Sequence, residues 1–511
     1  MFVRKKKNKS GVISIQIIDK SRGKYKVCKT VGSSAETTEI ERLFEQAHHL
    51  IPQITGQQSF HFNAQKEKEF EDAVFDSIKD FKLVGPELVL GKFFDEIGFG
   101  AVKDDLFRHM VITRLVYPVS KLKTIDYLCK YKGIIVERNK IYRYLDKLNN
   151  THKEQIQQIS YNHTLTVLNK GLTVVFYDVT TLYFEIQDED DLRKTGFSKE
   201  GKHQHPQILL GLLVSISGYP LAYEIFEGNK FEGHTMLPVI EAFKNKYQLE
   251  NLVVIADAGL LSNPNVQQLQ GKNYKYILGA RIKNESSFIR QQILSLSLSN
   301  GESVIIPKDE QTKIIVSYST TRAKKDEQNR KKGLQKLEKA VAGGKLSKKN
   351  IHNRGYNKYL KLEGDVSITI DYAKYKADAA WDGLKGYLTN TDLSKDDVIQ
   401  NYRHLWMIEK AFRISKTDLR IRPVYHRLKH RIEAHICIAF CAYKIYKELE
   451  RQLSLKQSKL SVEKAIDILK TIYALSIRTP YSKTMKTRFI IKNEEQKILL
   501  DLFEVNFRVS Q

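Results

Sequence analysis

Near the start of the chain apolar and polar residues alternate: Ile13, Ile15 and Ile17 fall on one face, Ser14 and Gln16 on the other. A period of two marks a half-buried strand. The Ser21-Arg22-Gly23 turn leads into Tyr25-Lys26-Val27, so residues 1–35 read as a small basic β-hairpin region. From about residue 40 to 169 the spacing becomes helical, as in Leu106, Met110 and Leu115, then Ile125 and Leu128, with few glycines or prolines. Residues 36–169 are therefore predicted to be helical. Within them Thr113-Arg114-Leu115-Val116-Tyr117-Pro118 closes one helix and Ser120-Lys121-Leu122-Lys123 opens another, a helix-turn-helix pattern that any two-helix corner shares.

The middle of the chain changes character. Leu172-Thr173-Val174-Val175-Phe176-Tyr177 is a continuous apolar run ending at Asp178, as expected of a strand covered on both faces. A hairpin is predicted over 208–216 and 221–226 around Ser217-Gly218-Tyr219-Pro220, then a helix over about 235–247. Residues 252–256 predict a second buried strand ending at Asp257, and 274–280 a further one. This β-β-β-α-β-α-β order resembles a ribonuclease-H-like layer, so an α/β core is predicted with its first part in residues 170–281. Residues 282–393 interrupt it with short strands at 303–306, 313–318, 366–372 and 383–388, and are expected to form an inserted, mainly β subdomain. Helices resume at about 395, making 394–475 the second part of the core, and 476–511 read as a polar tail.

Charge narrows the function. The 511 residues carry 84 Lys and Arg against 59 Asp and Glu, a net +25. A field of that sign concentrates polyanions, which points to nucleic acid. The stretch 321–358 alone holds 13 Lys or Arg against three acids and reads as a basic arm. No run approaches the ~18 apolar residues that span a bilayer, and no signal-type apolar run follows the basic start. A cytoplasmic protein without a membrane partner is expected. Cys28, Cys129, Cys437 and Cys441 form no CxxC pair, and Cys437 and Cys441 suit a helix core. His203, His205, His426, His430 and His435 lack the neighbouring cysteines of a zinc site and are read as packed or surface residues.

Asp178 and Asp257, at the ends of neighbouring buried strands, are costly to bring together because like charges repel and lose hydration. A dication reverses that cost, and hard oxygen ligands suit Mg²⁺. Either aspartate alone would read as a cap or turn residue. A third carboxylate, Glu409, lies in the predicted helix 401–416, where Tyr402, Glu409 and Lys416 recur every seven residues on one stripe. Leu405, Ile408 and Phe412 make that helix pack closely, so Glu409 is expected to be partly sheltered; the plain alternative is a solvated polar stripe. Beyond it Arg420, Arg422, Arg427, Lys429 and Arg431 form a basic run able to follow a DNA backbone.

On these residues the chain resembles the DDE-class transposases of bacterial insertion sequences, in the branch with a β-strand insertion before the glutamate. The resemblance is strongest in Tyr177-Asp178-Val179-Thr180-Thr181-Leu182-Tyr183-Phe184, in Ile255-Ala256-Asp257-Ala258-Gly259 and in residues 402–416. It implies a ribonuclease-H-like catalytic core, with 36–169 as a helical DNA-binding region. It also implies that Asp178, Asp257 and Glu409 are catalytic metal ligands for Mg²⁺, with Mn²⁺ as substitute, in a two-metal phosphodiester transfer. Implied partners are double-stranded DNA, as transposon ends and target, and a second copy of the chain bridging two ends. Tyr402, Arg413, Lys416, Arg420 and Arg422 are the expected DNA contacts. The family pattern of Tyr, two residues, Arg, three residues, Glu, six residues, Lys is met at 402, 409 and 416, but its arginine position is Leu405. Arg413 is the expected replacement and Arg403 is not, since it projects about 200° from position 405 on a helix. The rival reading is a catalytically inactive DNA-binding protein that keeps the fold; a sugar hydrolase with paired carboxylates would leave the +25 charge unexplained.

Overall fold

The computed structural model describes residues 1–505 except 22, 56–63, 170, 198–200, 202–203, 261, 345, 353–354, 364–366 and 480–481. Arg22 and His203 thus lie outside the described residues. The chain divides into two units, residues 1–79 with 476–486, and residues 80–475 with 487–511.

In the first unit, β1 (Phe2–Lys7), β2 (Ile13–Asp19) and β3 (Lys26–Ser34) pair antiparallel in that order. The hairpin expected here is therefore a three-stranded meander. Its first strand escaped the pattern because Arg4-Lys5-Lys6-Lys7 leaves no apolar alternate to read. Ile15 and Ile17 are buried against Ile40, Leu43 and Ala47 of α1 (Thr37–Thr55), which is followed by α2 (Ala64–Ser77).

The chain enters the second unit within β4 (Ile78–Leu83) and continues into α3 (Lys92–Ile97), α4 (Asp105–Val116), α5 (Lys121–Lys132) and α6 (Arg138–Val167). The predicted two-helix corner is present. Asp104 caps α4 by accepting from Leu106 N at 2.9 Å, and Ser120 caps α5 by accepting from Lys123 N at 3.4 Å.

Next come β5 (Val174–Tyr183), β6 (Gln207–Ser215), β7 (Pro220–Glu227), α7 (Met236–Tyr247), β8 (Val253–Ala256), α8 (Asn263–Gly271) and β9 (Lys275–Ala280). Strand order β7-β6-β5-β8-β9, with β5 antiparallel to β6 and parallel to β8, is the ribonuclease-H-like arrangement expected from the pattern. After α9 (Ser287–Leu294), β10 (Ser303–Pro307) and β11 (Lys313–Tyr318) form where the apolar runs placed them. The basic segment is then a helix, α10 (Thr320–Ala342), followed by a hairpin of β12 (Leu360–Glu363) and β13 (Ser367–Ile370), then α11 (Tyr372–Ala377) and β14 (Leu384–Thr389). Strands β10, β11 and β14 extend the same sheet beyond β9, giving the order β10-β11-β14-β9-β8-β5-β6-β7.

The sheet is buried on both faces, and its side chains alternate between two cores. Phe176, Ile255 and Ile277 point to one; Val175, Tyr177, Val254, Ala256 and Leu278 point to the other, which α7 lines with Met236, Ile240 and Phe243. The first core is closed by α12 (Lys395–Arg403), α13 (Trp406–Thr417) and α14 (Lys429–Leu455). Cys437 and Cys441 are buried in α14, in the core role expected of them. After α15 (Val462–Leu469), the segment read as a polar tail carries β15 (Tyr473–Arg478), β16 (Met485–Ile490) and α16 (Glu494–Leu502). Asn493 and Gln496 close α16 with a capping box, and Leu499 and Leu500 are its only buried apolar residues, too few to show in the sequence. Among the described residues no helix is long and apolar enough to cross a membrane.

Candidate active site

Asp178 and Asp257 are neighbours because β5 and β8 run parallel, with Tyr177 opposite Ala256. One step further along each strand stand the two aspartates. Both continue the face of Phe176 and Ile255, and α13 packs against β5 and β6 on that side. Asp178 is not a strand end as the apolar run suggested. It lies inside the ten-residue β5, at the point where β8 stops but pairing with β6 goes on to Tyr183. The run looked finished because Asp178 interrupts it chemically while the backbone ladder continues. Asp178 is half-buried and its Oδ1 accepts from Val179 N at 2.7 Å; Asp257 is exposed.

The expected helix 401–416 is two helices. Between α12 and α13 the backbone tightens into i→i+3 bonds, with Leu405 N donating to Tyr402 O at 3.0 Å and Ile408 N to Leu405 O at 3.1 Å. Such a turn advances about 120° per residue, against about 100° in an α-helix, so a single helical wheel does not relate 402 to 409. Leu405, Ile408 and Phe412 are buried as anticipated, yet Glu409 is exposed, contrary to expectation: the buried stripe faces the sheet and turns Glu409 toward solvent.

A cavity of about 940 Å³ opens beyond the end of β8. Asp257, Tyr402 and Glu409 line it together with Lys385, Arg322 and Arg403. Tyr402 donates to Asp257 Oδ1 at 3.2 Å; burial, and next the Asp257 carboxylate, hold its phenol well above the ordinary pKa, so it stays protonated. Lys385 on β14 lies 4.5 Å over the Tyr402 ring. Burial and then Arg322 lower its pKa, while Asp257 and Glu409 pull the other way. The cavity's other carboxylates are bound to cations: Asp382 to Arg330 at 2.5 Å, Asp378 to Lys283 at 2.8 Å, Asp326 to Arg322 at 3.4 Å. Asp257 and Glu409 enter no ion pair among the described residues. These two acids are what the cavity offers to an incoming cation.

Among the described residues no three His, Cys, Asp or Glu side chains stand close enough together to hold a metal ion. Asp178, Asp257 and Glu409 carry oxygen donors of the kind that hard dications take.

The sequence profile of the transposase DDE domain matches residues 169–445, more than half of the 511-residue chain. The chain belongs to the DDE transposase family. The DDE domain thus spans the strands carrying both aspartates, the inserted strands, and α13 with Glu409. Among solved structures the chain is similar to the piggyBac transposase synaptic complex with hairpin DNA, at 11% identity over 71% of this chain and 69% of that one, with a TM-score of 0.36. It is also similar to the Mos1 transposase paired-end complex with left transposon end, at 13% identity over 45% and 71%, with a TM-score of 0.16. No curated protein matches the chain.

Of the other expected DNA contacts, Lys416 is half-buried on α13, and Arg413 is exposed on the same helix but does not line the cavity. Arg420 and Arg422 line a separate cavity. Arg322 belongs to the basic arm read from the sequence, whereas Lys385 and Gly279, which also line the site, were not singled out. Lys385 sits in an unremarkable strand, and only the joining of β14 to β9 brings it to the carboxylates.

Proposed function

We propose that this DDE transposase-family protein cuts and rejoins DNA strands at the ends of an insertion element, with Asp178, Asp257 and Glu409 holding divalent cations. The reading is carried by Asp257 and Glu409, which face one cavity and enter no ion pair among the described residues, with Asp178 one strand away. Mg²⁺, or Mn²⁺ in its place, supplies charge stabilisation at the phosphate and lowers the pKa of an attacking hydroxyl. The chain's own groups do the rest. Tyr402 fixes the rotamer of Asp257 by its hydrogen bond, while Lys385, Arg322 and Arg403 draw the DNA phosphate into the cavity and oppose its charge. Double-stranded DNA, as element ends and as target, is the substrate, and two copies of the chain bridge the two ends. The test is cleavage of a fragment carrying the element's own ends, with and without Mg²⁺. Nicks at the end junctions that vanish in EDTA and return with Mg²⁺ or Mn²⁺ are expected; end binding without metal-dependent cleavage would leave only the inactive DNA-binding protein.

Arg403, and not Arg413, takes the place of the arginine missing at Leu405 in this reading, because Arg403 lines the cavity with Asp257 and Glu409. Arg403→Ala is expected to weaken cleavage by the ~1.5 to 3 kcal/mol of a charged hydrogen bond, roughly 10- to 150-fold, while Arg413→Ala changes it less than threefold. Both mutants are compared at one salt concentration on the same end fragment. A larger defect in Arg413→Ala would return the role to that residue.

A further inference from the structure

A second cavity, of about 890 Å³, opens where the α4–α5 corner meets residues 420–435. Among the described residues, seven Lys and Arg side chains line it and no carboxylate does. Two of them are buried: Arg114, in the last turn of α4, is 5% exposed, and Lys121, in the first turn of α5, is 4% exposed. Neither makes a hydrogen bond or ion pair with another described residue.

Two buried cations facing one space repel each other and lack hydration, an arrangement that costs stability unless an anion completes it. Burial pushes the Arg114 guanidinium down to about 10, and burial with Arg114 lowers the Lys121 ammonium. Neither shift is opposed by a carboxylate among the described residues. Asp146, whose charge reaches His426 at the cavity's edge, is held by Arg431 at 2.5 Å and by His430 at 2.8 Å. His426 and His435 border the cavity, but burial and the two cations drive their pKa values down, His426 to about 4, so they are neutral at pH 7. From the buried pair the charge continues outward through exposed Lys123, Arg420 and Arg427. An isolated phosphate would be served by the buried pair alone, whereas the outer row suits a chain of phosphates.

We propose that Arg114 and Lys121 form a deep binding site for one backbone phosphodiester of DNA, with Arg420 and Arg427 receiving the phosphates on either side. The forked guanidinium and the ammonium each donate to the phosphate oxygens, and the first turn of α5 adds the positive end of its dipole. This rests on the reading that the chain handles DNA, but the site is separate from the carboxylates and binds without metal.

Lys121→Met distinguishes a ligand site from a structural one. Loss of an unpaired buried charge should hold or raise the Tm of the free full-length protein. The same change should weaken binding of an end-bearing duplex about 10-fold in EDTA at 0.15 M salt, and flatten the slope of log affinity against log salt by about 0.9. Wild-type affinity and slope in the variant overturn the proposal, as does a fall in Tm of the free variant that accounts for the weaker binding. Arg420→Gln with Arg427→Gln, both exposed, should also flatten the slope, and an unchanged slope there overturns the outer contacts whatever happens to Lys121→Met. Inorganic phosphate separates the two sources of the anion: if it raises the wild-type Tm while Lys121→Met leaves DNA affinity intact, the site takes a free anion and the DNA assignment fails. All of these readouts omit metal, so their failure is distinguishable from failure of the cleavage reading.

Discussion

Asp257→Asn is expected to remove strand cleavage by at least about 10³-fold, equivalent to some 4 kcal/mol of transition-state stabilisation, while DNA binding stays within about twofold of wild type. Asparagine keeps the volume and retains an oxygen able to accept from Tyr402, so the local geometry beyond β8 survives. What disappears is one negative charge in a cavity where Asp257 and Glu409 are the lining carboxylates that enter no ion pair among the described residues. A dication loses a ligand charge, and the Lys385 ammonium loses one of the two acids that favour its charged form. Binding should be spared, since a carboxylate repels phosphate when no metal is present. The measurement is nicking of end-bearing DNA in Mg²⁺ alongside a gel shift in EDTA. Nicking at the wild-type rate would exclude Asp257 from the metal site.

The order of strands could be read from the sequence because a buried parallel layer writes itself as unbroken apolar runs. Val174 to Tyr177 and Val253 to Ala256 are such runs, and each is followed by an aspartate. The placement of Glu409 was harder to read. Its seven-residue spacing from Tyr402 assumed an uninterrupted α-helix, whereas the chain tightens at His404 and Leu405, and neither residue is a proline or glycine that would announce it. Nor does local pattern reveal which sheet a strand joins. The apolar runs at 303–306, 313–318 and 383–388 form β10, β11 and β14, but their place in the main sheet depends on β14 pairing with β9 more than a hundred residues away in sequence, as with Tyr387 opposite Gly279. Lys385 was invisible for the same reason. The buried pair Arg114 and Lys121 lay inside the helix-turn-helix pattern in plain view, yet nothing in a helical period says that two cations are turned inward.

Gly279→Ala should cost cleavage about 10- to 100-fold while leaving DNA binding near wild type. Gly279 lies on β9 beneath Tyr402, in a strand interior where glycine has no intrinsic advantage and alanine would ordinarily be tolerated. A Cβ at this position would stand 2.5 Å from the Tyr402 hydroxyl and 2.9 Å from the backbone nitrogen of Ala258. The second neighbour is backbone and cannot rotate away, so the strain must move either Tyr402 or the segment just after Asp257. Either shift breaks or lengthens the 3.2 Å bond that orients the Asp257 carboxylate. Misplacing a catalytic group by about 1 Å is sufficient to cost 10²-fold in rate. Stability should fall as well, by the roughly 1 to 3 kcal/mol of an overpacked core. Cleavage rates, end binding in EDTA and Tm measured on the same preparation separate the two effects. A second change that shortens the opposing side chain, Tyr402→Phe, provides the control: it relieves the clash at the hydroxyl but not at Ala258. If Gly279→Ala cleaves at the wild-type rate, the hydroxyl of Tyr402 does not position Asp257; if the double mutant regains stability but not cleavage, the loss is one of positioning and not of folding.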